Sequence, residues 1–156
     1  MSGSDGYIWV NGNLTRAQDA TIPALDRGLL YGDGVFETVR VYSGVPFRLE
    51  AHVGRLFDGA SMLQIPVPVS GDELCDVVAS LLAVDQLDDA YLRITLTRGC
   101  GGPPADLRPT EAPTLMVQAR PFSGYPADLY ARGMSALLSP VRRNETSPLS
   151  LVKSLN

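Results

Sequence analysis

The stretch Val35-Phe36-Glu37-Thr38-Val39-Arg40-Val41-Tyr42 changes character at every residue. In an extended chain Val35, Glu37, Val39 and Val41 fall on one face, and Phe36, Thr38, Arg40 and Tyr42 on the other. The alternation predicts a strand with its valine side against a core and its mixed side toward solvent or a pocket. Only Glu37 interrupts the apolar face.

Other elements extend from this strand in both directions. Upstream, the apolar and aromatic run Tyr7 to Val10 meets Asn11-Gly12, a dipeptide that tolerates the positive φ angles of a tight hairpin. Downstream, Leu49, Val53, Leu56, Phe57, Ala60 and Leu63 recur at helical spacing, which predicts a helix over 49–63 with Arg55 off its apolar stripe. Ser70 and Glu73 have capping-box spacing, and Leu74, Val77, Val78, Leu81 and Leu82 give the next helix its apolar face. From Tyr91 to Thr97 the chain alternates again, with Leu92, Ile94 and Leu96 opposite Tyr91, Arg93, Thr95 and Thr97. A glycine- and proline-rich loop runs from Gly99 to Pro104, and a strand is expected at Thr114 to Ala119. Pro121, Gly124 and Pro126 read as a linker, which puts a domain boundary near residue 122. Beyond it, Met134 to Leu138 reads as one more strand, and Asn144 to Ser150 as a polar loop leading to Lys153.

Composition narrows the function. A chain of 156 residues, 45% hydrophobic and 19% charged, has the make-up of a globular protein, and at this length folding hides roughly 70% of the unfolded surface. No apolar run approaches the roughly 20 residues that span a bilayer. Met1-Ser2-Gly3-Ser4-Asp5-Gly6 lacks the basic and apolar parts of a signal peptide, so a cytoplasmic location is expected. The net charge is −4 and the 13 basic residues are scattered, which argues against nucleic acid and for small molecules as partners. Cys75 and Cys100 lack Cys-x-x-Cys spacing and read as free thiols. A single histidine, His52, is poor material for a metal site, and its place on a helix edge reads as structural.

The 13 basic residues include one lysine, Lys153, between Val152 and Ser154. No other side chain offers an amine for an imine. Attack on a carbonyl needs an unprotonated amine, and an apolar setting such as Val152 and Leu155 provide favours that form. On composition alone, the plainer reading is an exposed lysine in a sequence that favours arginine.

Five segments, in order, resemble the class IV family of pyridoxal-phosphate enzymes. That family includes branched-chain aminotransferases, D-amino-acid transaminases and 4-amino-4-deoxychorismate lyases. Asp26-Arg27-Gly28-Leu29-Leu30-Tyr31-Gly32-Asp33-Gly34-Val35-Phe36-Glu37 is similar to the family's first signature, and Glu50-Ala51-His52-Val53-Gly54-Arg55-Leu56 to its phosphate-binding helix. Tyr91-Leu92-Arg93 with Thr97-Arg98-Gly99 looks like the pocket strand and loop. Leu138-Ser139-Pro140-Val141-Arg142 leans toward the lyases, and Val152-Lys153-Ser154-Leu155-Asn156 resembles the catalytic lysine motif.

The resemblance implies an α+β fold: a two-layer sandwich forming the small domain over residues 1–122. Residues 123–156 would then be the linker and the start of a larger cofactor domain. It implies pyridoxal 5'-phosphate, held by Lys153 as a Schiff base and by Arg55 at its phosphate, with the freed lysine amine as general base. Tyr31, Phe36, Arg40, Tyr91 and Arg93 would line the substrate pocket, with Arg98 as a carboxylate ligand. Gly32, Asp33 and Gly34 would form a turn that brings the next strand close to the ligand. The substrates would be an amino acid and a 2-oxo acid, and the assembly a homodimer. Transaminase, 4-amino-4-deoxychorismate lyase and non-catalytic module stay open as readings. By the same analogy the acidic partner of the pyridine nitrogen follows the lysine, so the 156-residue chain alone is expected to be inactive.

Overall fold

Asn11 and Gly12 take φ values of 46° and 92°, the two positive angles a two-residue hairpin requires. They join β1 (Tyr7–Val10) to β2 (Asn13–Arg16). In the computed structural model, which describes residues 6–103, 105–106, 112–142 and 144–156, this hairpin is one edge of a six-stranded antiparallel sheet. Pro104 at the end of the expected loop and residues 1–5 lie outside the described residues.

The strand read from the opening motif is β3, Gly34–Tyr42. It pairs along its length with β5 (Ala90–Thr97), which pairs in turn with β6 (Thr114–Pro121), and β6 closes onto β1. A second hairpin at Ser43-Gly44, also with positive φ, turns β3 into the short β4 (Val45–Pro46), giving the order β2-β1-β6-β5-β3-β4. One sheet face carries Val35, Val39, Val41, Leu92, Ile94, Leu96, Leu115 and Val117, all buried.

Two helices cover that face. α2 (Leu49–Met62) buries Val53, Leu56 and Ala60, and α3 (Gly71–Val84) buries Leu74, Val78, Leu81 and Leu82. Both follow the predicted apolar stripes. Ser70 and Glu73 form the reciprocal capping box, with Ser70 Oγ accepting from Glu73 N and Glu73 Oε2 accepting from Ser70 N. A sheet with helices on one face is the α+β sandwich expected from the sequence.

The short helix α1 (Arg27–Tyr31) precedes β3 and ends at Gly32, whose φ of 66° is the left-handed conformation that stops a helix. After β6 the chain leaves the sheet through Phe122 to Pro126 and forms α4 (Ala127–Arg132). The strand expected at Met134 to Leu138 does not form: these residues have no regular structure, and Leu138 is 99% exposed. Among the described residues no strand pairs with them, and an apolar run without a hydrogen-bonding neighbour gains nothing from extension. The loop to Lys153 contains a 3-10 turn at Pro148–Leu151.

Truncation of Leu92, fully buried in the central strand, is expected to cost about 2–5 kcal/mol as Leu92→Ala. Ser70→Ala, which removes the cap, should cost only about 1 kcal/mol. Denaturant unfolding of both variants measures the contrast, and equal losses would contradict this account of the core.

Candidate active site

Glu37 stands on the valine face of β3 with its side chain 1% exposed. An ionised carboxylate there is costly unless cations surround it. Two partners come from α2: the Arg55 cation donates Nε to Oε1 at 2.5 Å and Nη2 to Oε2 at 2.6 Å, and His52 places Nδ1 2.8 Å from Oε2. Because a carboxylate only accepts, Nδ1 carries the proton in this contact. The third is Lys153, whose Nζ lies 3.6 Å from Oε2. Burial pushes the Glu37 carboxyl up. The hydrogen bonds of Arg55 and His52, with the charges of Lys153 and Arg55, outweigh burial and bring its pKa down to about 2.

Lys153 reaches this position on its own short ladder. Phe36 N donates to Lys153 O at 3.0 Å and Leu155 N donates to Gly34 O at 2.9 Å, so 153–155 runs antiparallel to the start of β3. Gly34 has no room for a side chain: a Cβ there would stand 2.6 Å from Leu96 O and 2.7 Å from Leu155 Cδ1. Val152, one residue back, is buried in the core cluster with Val35. The lysine backbone is thereby pinned on two sides while Nζ stays accessible, its side chain 37% exposed.

Phe36 and Arg93 complete this group. The Arg93 guanidinium lies 4.0 Å from the Phe36 ring centroid and donates Nε to Thr95 Oγ1, and Lys153 Nζ is 5.2 Å from the same ring. Tyr91, on the same face, donates its hydroxyl to Thr38 Oγ1. The other expected pocket residues lie differently. Arg40 turns to the strand end, where it bonds the Val41 and Ala90 carbonyls and pairs with Asp89 at 3.0 Å. Tyr31, half exposed under the Arg27 guanidinium, lines a cavity of about 400 Å³ with Asp33, Ser154 and Asn156.

Arg98 departs from expectation. It is 4% exposed, and its guanidinium grips Asp33 through Nε at 2.8 Å and Nη2 at 3.1 Å while also bonding the carbonyls of Leu63 and Gln64. A buried arginine engaged by a carboxylate and two carbonyls is a poor ligand for a substrate carboxylate. The loop context of Thr97-Arg98-Gly99 could not reveal the burial.

A phosphorylated aldehyde needs a reachable amine and a cation for its phosphate. Lys153 and Arg55 meet that need: both are accessible, Arg55 at 59%, and both are held on one carboxylate, so the cluster keeps positive charge in excess. Glu37 and His52 were the residues whose part was not foreseen. The signal was available in Glu37 itself, since a lone acid on an apolar strand face demands polar partners.

Residues 34–156 match the family model described as Amino-transferase class IV. A putative branched-chain-amino-acid aminotransferase of Methanocaldococcus jannaschii is 43% identical over 150 residues, covering 96% of this chain and 51% of the relative. An aminodeoxychorismate lyase of Bacillus subtilis is 39% identical over 94 residues, 60% of this chain and 32% of its own length. The crystal structure of the branched-chain amino acid aminotransferase from Escherichia coli superposes with a TM-score of 0.81 at 29% identity, over 96% of this chain and 50% of that one. The chain therefore belongs to the class IV aminotransferases, and it spans about half the length of the relatives it matches most fully.

The Glu37 pKa lies below its ordinary 4.5, so its stabilising contribution is fully present above that value and is lost as pH falls toward 2. Glu37→Gln should lower stability at neutral pH by roughly 1–3 kcal/mol and flatten the loss across this acid range. Unfolding free energies measured from pH 7 to pH 2 test both parts, and an unchanged acid slope in the variant would contradict the assignment.

Proposed function

We propose that this chain supplies the lysine, the phosphate-binding arginine and one wall of the pocket of an amino-acid transaminase that uses pyridoxal 5'-phosphate. The observation that carries the reading is the convergence of Lys153 and Arg55 on the buried Glu37 beside Phe36. When bound, pyridoxal 5'-phosphate supplies an electron-withdrawing ring that accepts the electron pair left when a proton departs the substrate Cα.

Lys153 would hold the cofactor through Nζ, and its amine, when free, would serve as the base that takes and returns the substrate Cα proton. Glu37 keeps that amine near its carboxylate, and the backbone ladder to Phe36 and Gly34 sets its direction. Arg55, whose Nε and Nη2 are held by Glu37, would offer the phosphate its positive charge and its remaining guanidinium N–H groups. Phe36, Arg93 and Tyr91 form the substrate-facing wall, and Tyr31 lines the adjoining cavity. The substrates are an amino acid and a 2-oxo acid, with the protein a homodimer as the family resemblance implies.

Lyase chemistry is the second reading, favoured by the Bacillus subtilis relative and by Ser139-Pro140-Val141-Arg142. In the full-length protein, amino transfer that depends on a 2-oxo acid supports the transaminase, whereas pyruvate release from aminodeoxychorismate supports the lyase. Lys153→Ala should abolish the visible absorption of the bound cofactor and lower kcat by at least about 10³-fold. An arginine-to-alanine change at Arg55 should mainly weaken cofactor affinity, by roughly 1.5–3 kcal/mol. Titration of the apo protein with pyridoxal 5'-phosphate, followed by absorbance, reads both; a variant lacking Lys153 that still gave the imine band would sink the assignment.

A further inference from the structure

The turn at Gly32-Asp33-Gly34 does more than admit the next strand. Asp33 is held at both its side chain and its backbone. Its Oδ2 accepts from Arg27 Nε at 2.9 Å and Arg98 Nε at 2.8 Å, and its Oδ1 accepts from Arg98 Nη2 at 3.1 Å. Its N donates to Arg27 O at 3.2 Å, and its O accepts from Arg98 N at 3.1 Å. Burial raises the Asp33 carboxyl, but the two arginines more than reverse this and hold it below its usual value. Arg98 in turn bonds the carbonyls of Leu63 and Gln64, just past the end of the helix that carries His52 and Arg55.

On either side of this anchor lies the segment that carries Lys153. Gly34 O and Phe36 N are the two partners of the 153–155 ladder. At Gly32 a Cβ would stand 3.0 Å from the Asn156 backbone. The anchored turn is thus in close contact with the lysine segment at 32, 34 and 36, and the same arginine fixes it to the end of α2.

We propose that Asp33, clamped between Arg98 and Arg27, is a positioning residue that sets where the Lys153 amine stands relative to Glu37 and Arg55, acting through the ladder between 34–36 and 153–155. The inference rests on reading Lys153 as the cofactor-bearing amine. Asp33 itself touches no reacting atom. Its effect passes through Gly34 and Phe36, one and three residues along the same strand.

The test uses the full-length apo protein as wild type, Asp33→Asn and Arg98→Lys. Asp33→Asn removes the charge that both arginines share, and Arg98→Lys keeps the charge but loses the two-pronged grip. Hydrogen exchange at the amides of Phe36 and Leu155 should accelerate roughly tenfold or more, while those of Ile94 and Val117 in the core strands hold their rates. Acetylation of Lys153 at fixed pH, resolved by peptide mass spectrometry, should speed up as the amine loses its seat. Unchanged exchange at Phe36 and Leu155, or acceleration spread equally over Ile94 and Val117, would overturn the proposal. If Asp33→Asn does not fold, Arg98→Lys carries the same two readouts. Borohydride reduction of the wild-type protein loaded with cofactor separates the two questions. Failure to tag Lys153 would defeat the reading of the lysine, whereas the amide result tests the Asp33 anchor without any cofactor.

Discussion

A carboxylate buried on an apolar strand face constrains everything around it. Glu37 cannot sit among valines without polar partners, and no single element supplies them all: His52 and Arg55 come from α2, and Lys153 from the segment after the 3-10 turn. Removing water strengthens each of these attractions, and the same desolvation makes the group intolerant of a missing partner. One acid therefore specifies both how α2 docks on the sheet and where the lysine arrives. The packing of Val152 beside Val35 then reinforces a position already chosen by charge.

A second ion cluster works at the other end of the same short strand segment. Asp33 with Arg27 and Arg98 locks the turn before β3, while Asp26 accepts from Thr97 and Thr114 hydroxyls and caps α1 through Gly28 N. The start of β3 thereby lies between two polar hubs that restrain its backbone from both directions. The helix-covered face supplies stability, and the opposite face carries Phe36, Tyr91 and Arg93. This division follows from strand alternation, since neighbouring residues serve different faces.

Most of the fold could be read from local patterns. The valine alternation of β3, the Asn-Gly hairpin and the Ser70–Glu73 box each encode geometry within a few residues, and these elements form where expected. Met134 to Leu138 fails because apolar character does not supply a strand partner, a fact that lies elsewhere in the chain. The site was legible in a different way. Arg55 and Lys153 stood out through ordered motifs, whereas the meeting of Lys153 with Glu37 depends on a contact across more than a hundred residues. Arg98 shows the limit of local reading: its place at a strand end before glycines does not reveal that Asp33 and two carbonyls enclose its guanidinium.

The ladder of residues 153–155 also finishes a sheet edge. β4 pairs with Val41 and Tyr42, so the first half of β3 faces outward with Gly34 O and Phe36 N until residues 153–155 meet them. In a polypeptide emerging from the ribosome, that open border persists after the core strands have gathered, and unpaired strand borders are where nascent chains stick to one another. Docking of residues 153–155 thus closes a border of the sheet as well as placing the Lys153 amine beside Glu37.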